Sequence, residues 1–175
     1  MPYQYRREPL SNEEADRLVN AAERFEEKLV VTTLLDTGLR VSELAGLTRG
    51  GIQWQERRLV IYGKRAPQDK HPEQRVIPMT LRVRTLLEHH FAYENQLGMS
   101  ARTIQRMVKR VASRTGISKH VTPHVLRHTF SVLCVKRGIS TRALMQLLGH
   151  ERLSTTELYL NLSPEDAIRE FETKW

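Results

Sequence analysis

"TPHVLRHTF", residues 122–130, sets two histidines and an arginine into the first turns of a segment that otherwise has the composition of a buried helix. Thr122 is a suitable N-cap, Pro123 suits the first helical position and Gly138 marks a stop, so the stretch predicts a helix running from Pro123 to Gly138. At about 100° per residue, Val125, Leu126, Phe130, Val132 and Leu133 spread over a wide apolar arc. His124, Arg127, His128 and Ser131 share the narrow strip that remains. A helix N-terminus favours an anion, and a His and an Arg three apart on one face could grip the same phosphate. The ordinary alternative is that His124 and His128 are satisfied core or capping residues and that Arg127 pairs with a surface carboxylate.

Composition narrows the partner. The 175 residues suffice for one well-buried domain, and no Pro/Gly/Ser-rich linker divides them. Lys and Arg exceed Asp and Glu by eight, a balance that favours a polyanion. Nucleic acid leads over an anionic membrane, because the chain has no long apolar run and no basic amphipathic membrane helix. The single Cys134 allows no intrachain disulfide and is expected to be a small core residue. The polar start "MPYQYRREPLSNEEADRL" is not a signal peptide, so a cytoplasmic, chromosome-associated protein is expected.

The rest of the chain reads as mainly helical with a small antiparallel sheet, an α+β fold. "SNEEADRLVNAAERFEEKLVVTTLLDTG" opens with a Ser11–Glu14 capping box and holds two helices before the Gly38 stop. The acidic residues near its start suit the helix dipole. "RVSELAGL" resumes as a short helix; "IQWQERRLVIYGK" and "EQRVIPMT" supply the sheet, flanking a long polar loop. "LRVRTLLEHHFAY" returns to helical spacing. In "SARTIQRMVKRVASRTG", Arg102, Arg106 and Arg110 recur at four-residue steps beside Lys109, while Ile104, Val108 and Val111 face elsewhere. That basic helix is expected to line DNA, a solvated surface face being the alternative. Ser140 caps a helix that stops at Gly149, and Ser154 with Glu157 restarts one. The break lets His150 and Tyr159, nine apart, converge where a continuous helix would oppose them. Ser163 and Pro164 open a last short helix ending at Trp175.

Phosphate chemistry is constrained by what the motifs lack. There is no G-x-x-x-x-G-K-[ST] loop, no H-E-x-x-H, no C-x-x-C and no carboxylate cluster, so neither P-loop hydrolysis nor a two-metal nuclease is expected, and no metal or cofactor is called for. Metal-free chemistry would need cations for the phosphoryl oxygens, a proton donor for the leaving oxygen and a side-chain nucleophile.

"TGLRVSELAGL" (37–47), "HVLRH" (124–128) and "LLGHERLSTTELY" (147–159) together resemble the three signature boxes of the tyrosine recombinase family, the phage-integrase and Xer class, in the family's order. The resemblance implies the tyrosine recombinase catalytic-domain fold and a catalytic set of Arg40, Lys64, His124, Arg127, His150 and Tyr159. Tyr159 would attack a scissile phosphate of double-stranded DNA, giving a 3′-phosphotyrosyl bond and a free 5′-hydroxyl. Arg40 and Arg127 would hold non-bridging oxygens, His124 would accept the tyrosine proton or help hold the phosphate, and His150 would donate a hydrogen bond to it. Lys64 would protonate the leaving oxygen, with Lys70 a competitor, because the loop is longer than the compact family version. Glu43 matches the family's acidic position and would orient an active-site group, and His128 would give a supporting hydrogen bond. Most members carry an N-terminal clamp domain, and this chain starts about where the catalytic domain starts, so 1–175 reads as one catalytic domain, excised or compact. The resemblance further implies self-association, a tetramer on synapsed DNA with a monomer in isolation, and a possible exchange of residues 163–175 between protomers. An accessory DNA-binding domain of the same fold and a relaxing type IB topoisomerase are the alternatives.

Overall fold

The computed structural model describes residues 8–62 and 74–149, together with Ile168 and Glu172. The chain falls into two compact units, Met1–Phe130 and Ser131–Trp175.

In the first unit the capping signals become helices where expected. Helix α1 (Asn12–Asn20) begins at Ser11, whose hydroxyl accepts from the Glu14 N–H at 3.2 Å while its own N–H donates to the Glu14 carboxylate at 2.8 Å. Helix α2 (Phe25–Thr37) ends at Gly38 in the left-handed region, φ 62°. Helix α3 (Val41–Ala45) follows after Leu39 and Arg40, the latter extended at the N-cap. The sheet contains β1 (Ile52–Gln53), β2 (Arg58–Tyr62) and β3 (Gln74–Pro78), antiparallel in that order. The first sheet stretch turns within itself, with Arg57 at φ 53°, so it supplies a hairpin and not a single strand. Ile52 pairs with Leu59, and Leu59 with Ile77, which puts all three on the buried face.

Helix α4 (Leu81–Phe91) and helix α5 (Ala101–Ser113) complete the shell around this unit's core. Ile104, Val108 and Val111 of α5 are fully buried, as the apolar stripe predicts, and α5 packs on α2 and α3. Helix α6 (Pro123–Lys136) starts in this unit, where the Val125 N–H donates to the Thr122 hydroxyl at 3.2 Å. It ends two residues short of Gly138, which takes φ 82°.

In the second unit, the end of α6 is closed by an Ile139 N–H to Cys134 carbonyl bond of 3.0 Å. Helix α7 (Thr141–Leu148) is capped by Ser140 and stopped by Gly149 at φ 63°. The expected restart at Ser154 and the terminal segment 163–175 lie outside the described residues, except that Ile168 and Glu172 are helical. Among the described residues no helix is long and apolar enough to cross a membrane.

One device recurs in α1, α2 and α3. Glu14, Glu27 and Glu43 each hold the third position of a helix and accept from the backbone ahead of it. Each also takes a cation from a distant element: Lys119 at 2.7 Å, Arg114 at 2.7 Å and Arg75 at 2.6 Å respectively. The pairing holds all three carboxyls below the ordinary range.

Candidate active site

Arg127 and the turn before α3 are built as one feature. Gly38 has no side chain to occupy the place taken by the Phe130 ring, so the turn lies directly against α6. Arg127, 5% exposed, donates from Nη1 to the Gly38 carbonyl, two residues before Arg40. Arg127 is therefore not a surface residue, and one of its guanidinium nitrogens is turned inward onto backbone. One helical turn earlier His124 is exposed, and one residue later His128 is buried, where desolvation pushes its pKa down to about 4. The polar strip thus divides into an open histidine and three buried groups, Arg127, His128 and Ser131. The segment before α1 steadies the same helix: the Leu10 N–H donates to the Thr129 hydroxyl at 3.0 Å, and that hydroxyl donates to the Val125 carbonyl at 2.8 Å.

Arg40 is the N-cap of α3 and its side chain is 42% exposed. Its Nη1 donates to Glu43 Oε1 at 2.9 Å and its backbone N–H to Oε2 at 2.7 Å. The same carboxylate receives Arg75 on both oxygens, at 2.7 and 2.6 Å. Burial pushes the Glu43 pKa up, but the Arg75 hydrogen bonds and those from Arg40 outweigh it and leave the group ionised. Glu43 thus accepts from two arginines at once, Arg40 and Arg75.

Beside this turn is an open cleft of about 690 Å³ whose lining includes Val41, Gln105, Lys109, Thr122 and His124. It joins the N-terminus of α6 to the basic face of α5. Arg102, Arg106 and Lys109 are exposed on that face and have no ion-pair partner among the described residues. Arg110, expected to extend the same face, instead meets Glu27 Oε1 at 2.9 Å. The reason is helical drift: eight residues from Arg102 is about 80° around the axis, which carries Arg110 toward α2.

Two functional candidates escaped the sequence reading. Arg75 had a signal, because strand alternation puts it on the buried face with Ile77, where an arginine needs a carboxylate. Glu27 had a fainter one, its third position in α2, which reads as ordinary dipole complementarity until Arg110 and Arg114 are seen to converge on it. Lys64, Lys70, His150 and Tyr159 lie outside the described residues. Among the described residues no cluster of His, Cys, Asp and Glu could hold a metal ion. Cys134 is buried, its thiol pushed up to about 11.

The comparisons with known proteins address the boxes as a set. The model of the phage integrase family matches residues 8–166. Tyrosine recombinase XerA of Saccharolobus solfataricus is 33% identical over 159 residues, covering 89% of this chain and 52% of that protein. A crystal structure of XerA recombinase aligns with a TM-score of 0.80 at 30% identity, over 98% of this chain and 66% of that one. The Tn1549 transposon integrase in complex with circular intermediate DNA shares the fold at 22% identity, with a TM-score of 0.77 over 98% of this chain and 68% of that one. The chain spans about half the length of the curated relatives it matches. Signature boxes, fold and family model agree, and the chain belongs to the phage integrase family, with the fold of a tyrosine recombinase catalytic domain.

Proposed function

We propose that this chain carries out site-specific DNA recombination by metal-free strand cleavage and rejoining, with Tyr159 as nucleophile. The observation that carries the reading is the bond from the buried Arg127 to the Gly38 carbonyl. It sets the arginine of the second box against the turn that bears Arg40, beside a cleft lined by His124. Two guanidinium groups at one turn, with the exposed His124 imidazole in the cleft beside it, suit a phosphodiester, since guanidinium is planar, always charged and able to bind two oxygens. The XerA relatives are named recombinases and the Tn1549 integrase was solved on DNA, which supports double-stranded DNA as the partner.

In this mechanism the Tyr159 oxygen attacks phosphorus and the bond to the 5′-oxygen breaks. Arg40 and Arg127 hold the non-bridging oxygens as charge grows on them. His124 accepts the phenolic proton, His150 donates a hydrogen bond to the phosphate, and Lys64 supplies the proton to the leaving 5′-oxygen. A 5′-hydroxyl from another strand reverses the step. The phosphodiester energy is conserved, so no nucleotide cofactor is required. Exposed Arg102, Arg106 and Lys109 contact the DNA backbone, and His128, held neutral, supports the site from within. Assembly as a tetramer on synapsed DNA, with residues 163–175 exchanged between protomers, belongs to the same reading.

The test is covalent attachment. Supercoiled plasmid and a pre-nicked duplex are incubated with the protein in EDTA, quenched with SDS and examined for an adduct that protease removes. Wild type should form it and Tyr159→Phe should not, while binding nearly as well. An adduct from Tyr159→Phe would overturn the nucleophile assignment. Arg127→Ala should lose cleavage far more than binding, and equal losses would reduce Arg127 to an affinity contact.

A further inference from the structure

We propose that Thr129 is a positioning residue for strand cleavage: its hydroxyl pins the chain ahead of α1 onto α6 and so holds Arg127 against the Gly38 turn. The inference rests on the recombinase reading above.

Thr129 is fully buried and its hydroxyl is used twice. It donates to the Val125 carbonyl one turn back at 2.8 Å, which leaves its lone pairs to accept the Leu10 N–H at 3.0 Å. Leu10 is buried as well, so its N–H depends on a protein acceptor. The residues beside it are also tied. Pro9 gives its carbonyl to Lys119 Nζ at 3.0 Å, and the Ser11 N–H goes to the Glu14 carboxylate at 2.8 Å. Lys119 further meets Glu14 at 2.7 Å and Glu8 at 3.1 Å, so one ammonium gathers three acceptors from the chain around the start of α1. Lys119 comes three residues before Thr122, whose hydroxyl accepts from Val125 at the start of α6. Residues 8–11 are therefore a strap, bound just ahead of α6 by Lys119 and within its second turn by Thr129.

The strap and the Gly38 turn take opposite sides of the helix. Thr129 is two residues from Arg127, about 200° around the axis, whereas Phe130 is only about 60° from Arg127. Arg127 donates to the Gly38 carbonyl and the Phe130 ring lies against Gly38, so α6 is gripped between turn and strap. Release of the strap lets α6 roll away from the turn, and Arg127 moves with it. Cleavage feels that movement more than binding does. The exposed cations of α5 supply affinity in this reading, whereas Arg127 must meet the phosphoryl oxygens as charge grows on them.

Adduct formation is measured at saturating pre-nicked DNA, with affinity followed in a Tyr159→Phe background. Thr129→Val keeps the side-chain shape and removes the hydroxyl; it should slow cleavage on the order of 10-fold while affinity stays within about twofold of wild type. Thr129→Ser, which keeps the hydroxyl, should recover most of the rate. Lys119→Met releases the other end of the strap and should slow cleavage too. The double variant should lose less than the product of the two single losses, because both free one segment. Amide hydrogen exchange accompanies each variant: Thr129→Val should speed exchange at Leu126 and Arg127 about 10-fold and leave α5 unchanged. Thr129→Val cleaving like wild type, Thr129→Ser as slow as Thr129→Val, or affinity falling in step with rate would overturn the proposal. So would a fully multiplicative double variant, or exchange rising equally in α5. If wild type forms no adduct, the recombinase reading fails and the cleavage role with it. Exchange then decides the strap alone: faster in α6 of Thr129→Val if the strap holds the helix, unchanged if it does not.

Discussion

Replacing Glu27 with Gln tests how the basic helix is held. Glu27 is fully buried and accepts from Arg114 at 2.7 and 3.3 Å, from Arg110 at 2.9 Å, and from the backbone N–H groups of Glu23 and Arg24 at 3.1 and 3.4 Å. The Arg114 hydrogen bond is the largest cause of a pKa lowered from 4.5 to about 2. That drop corresponds to ~3 kcal/mol of folding stability as a ceiling. The Arg110 side chain is 47% exposed and solvent screens part of the pairing, so ~2 kcal/mol is the working figure. As pH falls, the unfolded chain takes up the proton first, near 4.5, while the folded chain resists until about 2. The stabilisation is therefore complete above pH 4.5 and is lost as pH falls toward 2, with more than half gone by about pH 3. Urea unfolding of both proteins, followed by helical circular dichroism at constant ionic strength, should show a gap of ~2 kcal/mol at pH 7 that narrows steadily below pH 4.5. A gap under ~1 kcal/mol at pH 7, or one that stays constant to pH 3, would refute the reasoning.

Gly38→Ala should cost ~2–4 kcal/mol, combining the left-handed backbone with a Cβ that runs into the Phe130 ring, and should lower the urea midpoint; a loss below ~1 kcal/mol would mean the turn relaxes away from α6. His128, pushed from 6.5 to about 4 by burial, opposes folding once protonated, so stability should fall as pH drops from 6.5 to 4. His128→Asn should flatten that limb, and an unchanged limb would reassign it to other groups. Arg102→Gln, Arg106→Gln and Lys109→Gln should each reduce the slope of log affinity for duplex DNA against log salt by ~1; slopes equal to wild type in all three would remove α5 from the interface.

Local chemistry was the legible part of this chain. Caps at Ser11, Thr122 and Ser140 and the Gly38 and Gly149 stops are short-range events, settled within a turn of backbone, and the helices start and end at them. The apolar stripe of α5 was legible because burial imposes the 3.6-residue period. The ordered boxes gave the family because each holds its residues at fixed local spacing. Pairings across the chain were not legible: Arg75 is 32 residues from Glu43, and Arg114 is 87 from Glu27. No periodicity records which carboxylate a distant cation will meet. Even the inward turn of Arg127 follows from Gly38, 89 residues earlier, and not from the helix that carries it.

The same limit explains why a net charge of +8 is a poor measure of the proposed DNA-binding face. Lys119, Arg114 and Arg75 are held by the glutamates at the third positions of α1, α2 and α3, Arg110 joins Arg114 on Glu27, and Arg82 is held by Asp36 at the end of α2. Five of the chain's cations are thereby spent on joining elements, and their charge is answered inside the protein. Arg102, Arg106 and Lys109 on α5 are not answered in this way among the described residues, and Arg40 shares its carboxylate with a stronger partner. Paired acids thus sort the basic residues into frame and interface, and only the second group should release counterions when DNA binds. The salt dependence should therefore follow the cations that α5 presents to the DNA and not the whole basic complement: Arg82→Gln should cost stability while leaving the slope unchanged, whereas Arg106→Gln should do the reverse. A slope that fell equally in both variants would show that net charge, and not its internal partition, governs binding.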